Sequence, residues 1–368
     1  MHQRYRYFAN HRRQTRPAQL TLKVGRGCAS GRAAARVLCA VLAAALALLA
    51  HAGSSPETGA ARDSDWHDPS PHSVSVVPVT SDVSLEVLDW GGPGRAVVLL
   101  AGLGNTAHIF DDFAPKLAKF SHVYGITRRG YGASSAAPPS GYTSDRLAED
   151  VLAVADVLKL HRPILVGHSF AGEELTLLGT EHPSKIAGLV YLDAAYDRTT
   201  ASSARWNALA AQTRPPPPTE DDQRSYSALR SWYAHTMHIE PPEADLRANS
   251  VPSPMSPIGA PRTSPSVYEA ILSGVRKPDY SRIHLPVLAI YAVPGSIEDT
   301  PGFGRAPEAM VRELFELQRQ EVRVNSTQFR SGNRHARVIE IQGATHMLFL
   351  SNQADTLREV RAFVTGLP

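Results

Sequence analysis

Ala96–Ala101 reads AVVLLA, an apolar run with no polar break. A strand with one face in water would alternate, so such a run suits a strand buried on both faces. Three more apolar runs follow: Ile164–Val166 after Pro163, Ala187–Asp193 (AGLVYLD) and Leu285–Ala292 (LPVLAIYA). Val74–Val79, Val83–Trp90, His122–Ile126 and Arg337–Ile341 also read as strands. Helical spacing lies between them, clearest in Thr143–Leu160 at Leu147, Val151, Val154, Ala155 and Leu158. A helix is expected over Ile109–Phe120, interrupted early by Pro115. A polar amphipathic helix is expected over Pro307–Gln320, and a closing helix near Ala354–Thr365. Strands and helices that alternate at short spacing predict right-handed crossovers. The expected fold is α/β: a mostly parallel central sheet with helices on both faces.

The alternation stops at Tyr196. Residues 197–284 hold Pro215–Pro218, Pro241-Pro242 and VPSPMSPIGAP, with helical pieces around Trp206, Tyr226–His235 and Val267–Gly274. No strand alternation is evident there. Trp206, Trp232, Tyr233 and Tyr268 offer aromatic surface to bury, which argues against a disordered linker. The expectation is a mainly helical cap inserted into a core made of 74–196 and 285–368.

The stretch Arg162–Leu175 (RPILVGHSFAGEEL) reads as strand, sharp turn, helix. Gly167-His168-Ser169-Phe170-Ala171-Gly172 forms the turn. It resembles the nucleophile elbow of the α/β-hydrolase superfamily, G-x-S-x-G, with Ala171 at the second small position and Gly172 next. Arg128-Arg129-Gly130-Tyr131-Gly132-Ala133-Ser134 is similar to the D-x-R-G-x-G-x-S turn of the same superfamily, with Thr127 near where an Asp is usual. The resemblance covers roughly 74–366. It implies Ser169 as nucleophile and His346, just after the last strand, as base, in the hydrolase chain order. It implies the Phe170 N–H as one oxyanion donor. The loop Gly102-Leu103-Gly104-Asn105, where Ala101 replaces the usual histidine, would supply the Leu103 N–H as the other.

The acid of such a triad has two candidate positions. Asp193 ends the strand after the elbow. Glu298 and Asp299 follow the next strand, in a Pro/Gly-bounded loop. His108 is expected either at the pocket mouth or solvated near a helix start. Arg128 and Arg129 are expected at the surface, with attraction of an acidic substrate as the functional alternative. Glu240, Glu243 and Asp245 offer thin support for amine recognition of the kind that capped peptidases of this superfamily perform. Epoxide hydrolases and haloalkane dehalogenases of the superfamily use an aspartate where Ser169 stands, which disfavours those reactions.

The net charge of +3 belongs to the leader. The first 52 residues carry nine of the 38 Lys/Arg and none of the 35 Asp/Glu, leaving 29 basic against 35 acidic residues. Nucleic-acid binding therefore gains no support. Arg26, Arg32 and Arg36 precede the apolar run Val37–Ala50, and Ala50-His51-Ala52 supplies a cleavage site. That pattern predicts a signal peptide and an exported protein, periplasmic or secreted, with an uncleaved membrane anchor as the alternative. A start at Val24 would shorten the long basic region. Residues 53–73 read as a flexible lead-in. Cys28 and Cys39 both lie in the leader, so the mature chain has no disulfide or cysteine metal site. The expected activity is hydrolysis of an ester or similar acyl compound, with no metal or organic cofactor. The alternatives are another hydrolase chemistry (amidase or peptidase, C–C bond hydrolase) or an idle hydrolase fold that binds a small molecule.

Overall fold

A computed structural model of the protein describes residues 66–367, apart from 254, 255 and 301. The leader and most of the lead-in lie outside the described residues. The central sheet has eight strands in the order β1-β2-β4-β3-β5-β6-β9-β10. These are β1 (Ser73–Pro78), β2 (Ser84–Gly91), β3 (Ala96–Leu100), β4 (His122–Ile126), β5 (Ile164–His168), β6 (Gly188–Leu192), β9 (Val287–Val293) and β10 (Ala336–Gln342). β1 and β2 pair antiparallel, as do β2 and β4; every pairing from β4 to β10 is parallel.

The unbroken apolar runs are explained by the two layers they feed. Val98 and Leu100 of β3 and Leu165 of β5 pack on one face. Their partners come from α2 (Ser144–Val157), α3 (Ala171–Glu181) and α8 (Glu308–Gly332). Val97 and Leu99 point to the other face, against Phe110, Phe113, Phe349 and Val360. Phe113 precedes α1 (Ala114–Leu117); Phe349 and Val360 belong to α9 (Leu348–Ser351) and α10 (Gln353–Gly366).

Two expected helices differ in extent. The one over Ile109–Phe120 breaks into a 3₁₀ turn, Ala107–Phe110, and α1, where Pro115 sits in the first turn. Proline is tolerated there because that N–H has no helical partner. The one expected over Pro307–Gln320 continues to Gly332. Its second half buries Glu321, Val322, Asn325, Ser326 and Phe329, a helical stripe that is mostly polar and so carries little apolar signal.

Residues between β6 and β9 form α4 (Ala201–Gln212), α5 (Tyr226–Met237), α6 (Glu243–Ala248), α7 (Pro265–Leu272) and a hairpin of β7 (Ser250–Ser253) with β8 (Ser256–Pro261). The hairpin was not expected. Its prolines hide the alternation, and a two-stranded ribbon tolerates them because each strand has a free edge. Val267, Tyr268, Ile271 and Leu272 of α7 pack on Leu103, Tyr131, Tyr142 and Phe170 of the core. The insertion thus sits on the two loops that carry Leu103 and Ser169.

The last residues of the expected flexible lead-in are seated. The Arg247 guanidinium of α6 lies 4.4 Å from the Trp66 ring and 4.2 Å from that of Tyr226. The His72 side chain is only 4% exposed. No helix among the described residues is long and apolar enough to cross a membrane.

Candidate active site

β5 ends at His168, and Ser169 takes a left-handed backbone with φ 53° before α3 begins. Such a conformation is costly for a residue with a β-carbon and throws the side chain off the sheet. The Ser169 N–H donates to Leu192 O at 3.2 Å, which pins the turn to β6. Gly172 is required here: a β-carbon on it would lie 2.0 Å from Ala194 O. The glycine one place beyond the usual elbow position therefore serves the approach of the β6 loop. Gly102 is constrained less severely: its β-carbon would meet the side-chain atoms His168 Nδ1 and Ser169 Cβ, each at 2.9 Å.

The structure brings Ser169, His346 and Asp193 together. His346 Nε2 lies 2.8 Å from Ser169 Oγ, and His346 Nδ1 lies 2.6 Å from Asp193 Oδ2. Asp193 follows β6 with φ 46° and a side chain 5% exposed, while the His346 side chain is 50% exposed. The second Asp193 oxygen accepts from Tyr196 OH at 2.6 Å and from Ala292 N–H at 3.0 Å. Burial, then the Asp193 charge, holds the Tyr196 phenol well above its usual range, so it stays a donor. Glu298 and Asp299 are exposed. Asp299 instead closes a capping box with Ser296, accepting from its N–H and hydroxyl at 3.0 Å each.

Phe170 directly follows Ser169 at the start of α3, and Leu103 follows Gly102, whose backbone lies against Ser169. Neither N–H donates to an acceptor among the described residues. Four residues that the sequence did not single out fix these loops. His168 donates Nε2–H to His346 O at 3.0 Å, and its ring lies 4.6 Å from that of His346. Burial, and then the neighbouring His346, pulls the His168 imidazole well below its usual range, so it is neutral. Arg198 donates to Ser169 O at 2.8 Å and pairs with Glu173 at 2.9 Å. Tyr196 holds Asp193, as above. Glu174 holds Arg128. No periodicity marks any of them; only their nearness to the elbow and to β6 would.

Arg128 and Arg129 are buried, contrary to the surface expectation. Arg128 pairs with Glu174 at 2.8 Å and donates to Ala101 O at 3.0 Å, behind the Leu103 loop. Arg129 forms a two-pronged pair with Asp150 at 2.6 and 2.5 Å. Both guanidiniums face inward because a buried carboxylate awaits each, so neither attracts substrate. The insertion acids do not converge either. Glu243 bonds Arg247 within α6, and Glu240 is exposed near Arg230. Asp245 is buried and accepts from Thr106 N–H (2.8 Å), Thr106 hydroxyl (2.7 Å) and Asn105 amide (2.8 Å). Burial pushes its carboxyl up to about 6 against the pull of those donors. His108, expected at the pocket mouth or in solvent, has a side chain 12% exposed and contacts Asp111 at 3.0 Å.

An open parallel sheet that gathers its polar groups at strand carboxyl ends, with Ser169 on a strained strand–helix turn, defines the α/β-hydrolase class. The chain belongs to the alpha/beta hydrolase fold family, whose sequence model matches residues 95–283, a span that includes Ser169 and Asp193. It is 34% identical over 113 residues to a putative carbamate hydrolase RutD of Variovorax paradoxus, covering 30% of this chain and 42% of that one. It is 26% identical over 163 residues to an N-formylmaleamate deformylase of Pseudomonas putida, covering 41% and 61%. The chain thus spans less than two thirds of the length of these curated relatives. Among solved structures it is similar to E-2-(acetamidomethylene)succinate hydrolase, with a TM-score of 0.58 and 18% identity over 80% of this chain and 100% of that one. At that identity the likeness concerns the fold.

Proposed function

We propose that the protein is a serine hydrolase that cleaves an ester or similar acyl bond through an acyl-enzyme. The unbroken line of contacts from Ser169 Oγ through His346 to the buried Asp193 carries this reading. Ser169 Oγ attacks the carbonyl carbon as His346 Nε2 takes its proton. Asp193 keeps the imidazole in the tautomer whose Nε2 accepts, and stabilises the imidazolium. The Leu103 and Phe170 N–H groups receive the oxyanion. Collapse expels the alkoxide, which takes the proton from His346. Water, deprotonated by His346, then releases the acid and restores Ser169. The half-exposed His346 leaves these steps open to solvent water. The 197–284 insertion serves as the cap that shapes the acyl site, since α7 lies on Leu103 and Phe170.

Relatives named for carbamate and N-formyl substrates favour a second reading, in which the acyl bond cleaved is C–N. A fluorophosphonate probe tests the shared chemistry. Wild-type protein should be labelled and Ser169→Ala should not; an unlabelled, folded wild type ends the serine-hydrolase reading. A panel of esters, lactones, formamides and carbamates then separates the two bond types.

A further inference from the structure

Away from Ser169, the end of the lead-in meets the turn that follows the Leu103 loop. Asp68 and His72 come from the lead-in; His108 and Asp111 come from the 3₁₀ turn and its C-terminal cap. One ligand atom from each lies within 4.8 Å of the other three. His108 Nδ1 is 3.2 Å from Asp68 Oδ2 and 3.0 Å from Asp111 Oδ2, and His72 Nδ1 is 3.3 Å from Asp111 Oδ1. A tetrahedral zinc ion with bonds of about 2.0–2.1 Å sets its ligands roughly 3.4 Å apart. These contacts are near that length; Asp111 meets His108 through Oδ2 and His72 through Oδ1, so rotation of its carboxylate would bring a single oxygen to the ion.

A second observation points to a ligand. Asp68 Oδ2, His72 Nδ1 and Asp111 Oδ1 are buried and have no hydrogen-bond partner, although they face one another. The His72 and Asp111 side chains are each 4% exposed, so bulk water does not reach them. An ion pair centred on a protonated His108 engages Asp68 Oδ2 and Asp111 Oδ2. It leaves His72 Nδ1 and Asp111 Oδ1 facing each other at 3.3 Å without a hydrogen bond. A cation at the centre engages all four groups.

The surroundings also fit. The Ser70 N–H donates to Asp68 Oδ1 at 2.9 Å, which turns Oδ2 inward. The Ser70 hydroxyl donates to Asp111 O at 3.1 Å and accepts from Trp90 Nε1 at 2.9 Å. Glu86 Oε1 lies 3.9 Å from His108 Nε2, on the side away from the cluster. A carboxylate behind a ligating imidazole orients the ring and raises its basicity.

We propose that Asp68, His72, His108 and Asp111 form a binding site for a divalent transition-metal cation, with zinc as the best match. Two imidazoles and two carboxylates suit zinc, whereas calcium takes oxygen ligands in larger number. The ion would staple the lead-in to the turn just after the Leu103 loop. The site stands apart from the serine-hydrolase reading, and either can fail alone.

The test is zinc binding by the folded, chelator-stripped protein, measured against a chromophoric zinc chelator. The expected result is a single site with Kd of about 1 µM or tighter, retained in His346→Ala. His72→Gln and Asp111→Asn should each weaken binding by 10-fold or more, and cobalt in place of zinc should show tetrahedral d–d absorption. Circular dichroism first establishes that each variant is folded; if one is not, the wild-type titration and cobalt spectrum decide. A folded wild type that leaves all the zinc with the chelator overturns the proposal. So does binding lost in His346→Ala but unchanged in His72→Gln, or calcium bound as tightly as zinc.

Discussion

Ser169 and Asp193 both hold a left-handed backbone, at φ 53° and 46°. At Ser169 that geometry makes a stability prediction separable from chemistry. Ser169→Gly and Ser169→Ala both lack the hydroxyl, but only alanine keeps the β-carbon that the turn penalises. The glycine variant should unfold at higher denaturant, by about 1 kcal/mol; equal or reversed midpoints would show that the turn relaxes. For turnover, Ser169→Ala and His346→Ala should each remove most activity, and the double variant should be little worse than either. Asp193→Asn should lower kcat by on the order of 10⁴, as in comparable triads. Glu298→Gln and Asp299→Asn should change it by less than about tenfold, or roughly 1.4 kcal/mol. Steady-state kinetics on one activated ester decides between the acids. Ser169 and His346 were legible because the elbow and the strand-end histidine are local patterns. Asp193 was legible only as one of two positions, since the choice depends on which loop reaches His346 across the sheet. His168, Arg128 and Arg198 were not legible: each acts on a backbone carbonyl of a distant segment, and carbonyls leave no mark in a sequence.

The inner strands β3, β5, β6 and β9 were readable because burial on both faces demands unbroken apolar runs. The insertion was less so, since its β7–β8 ribbon is proline-rich and its polar contacts to the core leave no periodic mark. The sharpest of these is Asp245 of α6, whose carboxylate holds Thr106 and Asn105. Asp245→Ala leaves a buried Thr106 N–H unpaired and should destabilise the fold by about 1–3 kcal/mol. The carboxyl also carries a pH signature. Its folded pKa of about 6 stands above the model-peptide value of 3.8, so the native state holds its proton more tightly than the unfolded state. The stability linked to that proton is complete below pH 4 and is lost as pH rises through about 6. Urea titrations from pH 4 to 7 should therefore show wild type losing ground relative to Asp245→Asn, by on the order of 2–3 kcal/mol in total. A constant difference across that range would mean that Asp245 titrates normally.

For the whole molecule, the leader motivates a prediction of address. Protein recovered from its native host should begin near Gly53 and lie outside the cytoplasm; an intact N-terminus in the cytosol would sink it. The seated lead-in adds a consequence in time. Trp66 is the first described residue to leave the ribosome, yet Arg247, on which it rests, is made 181 residues later. Long-range closures of this kind wait for the intervening chain. Trp66 thus has nowhere to dock until α6 exists. During refolding of the mature chain, a protease should still cut between 53 and 72 after the parallel strands have become resistant.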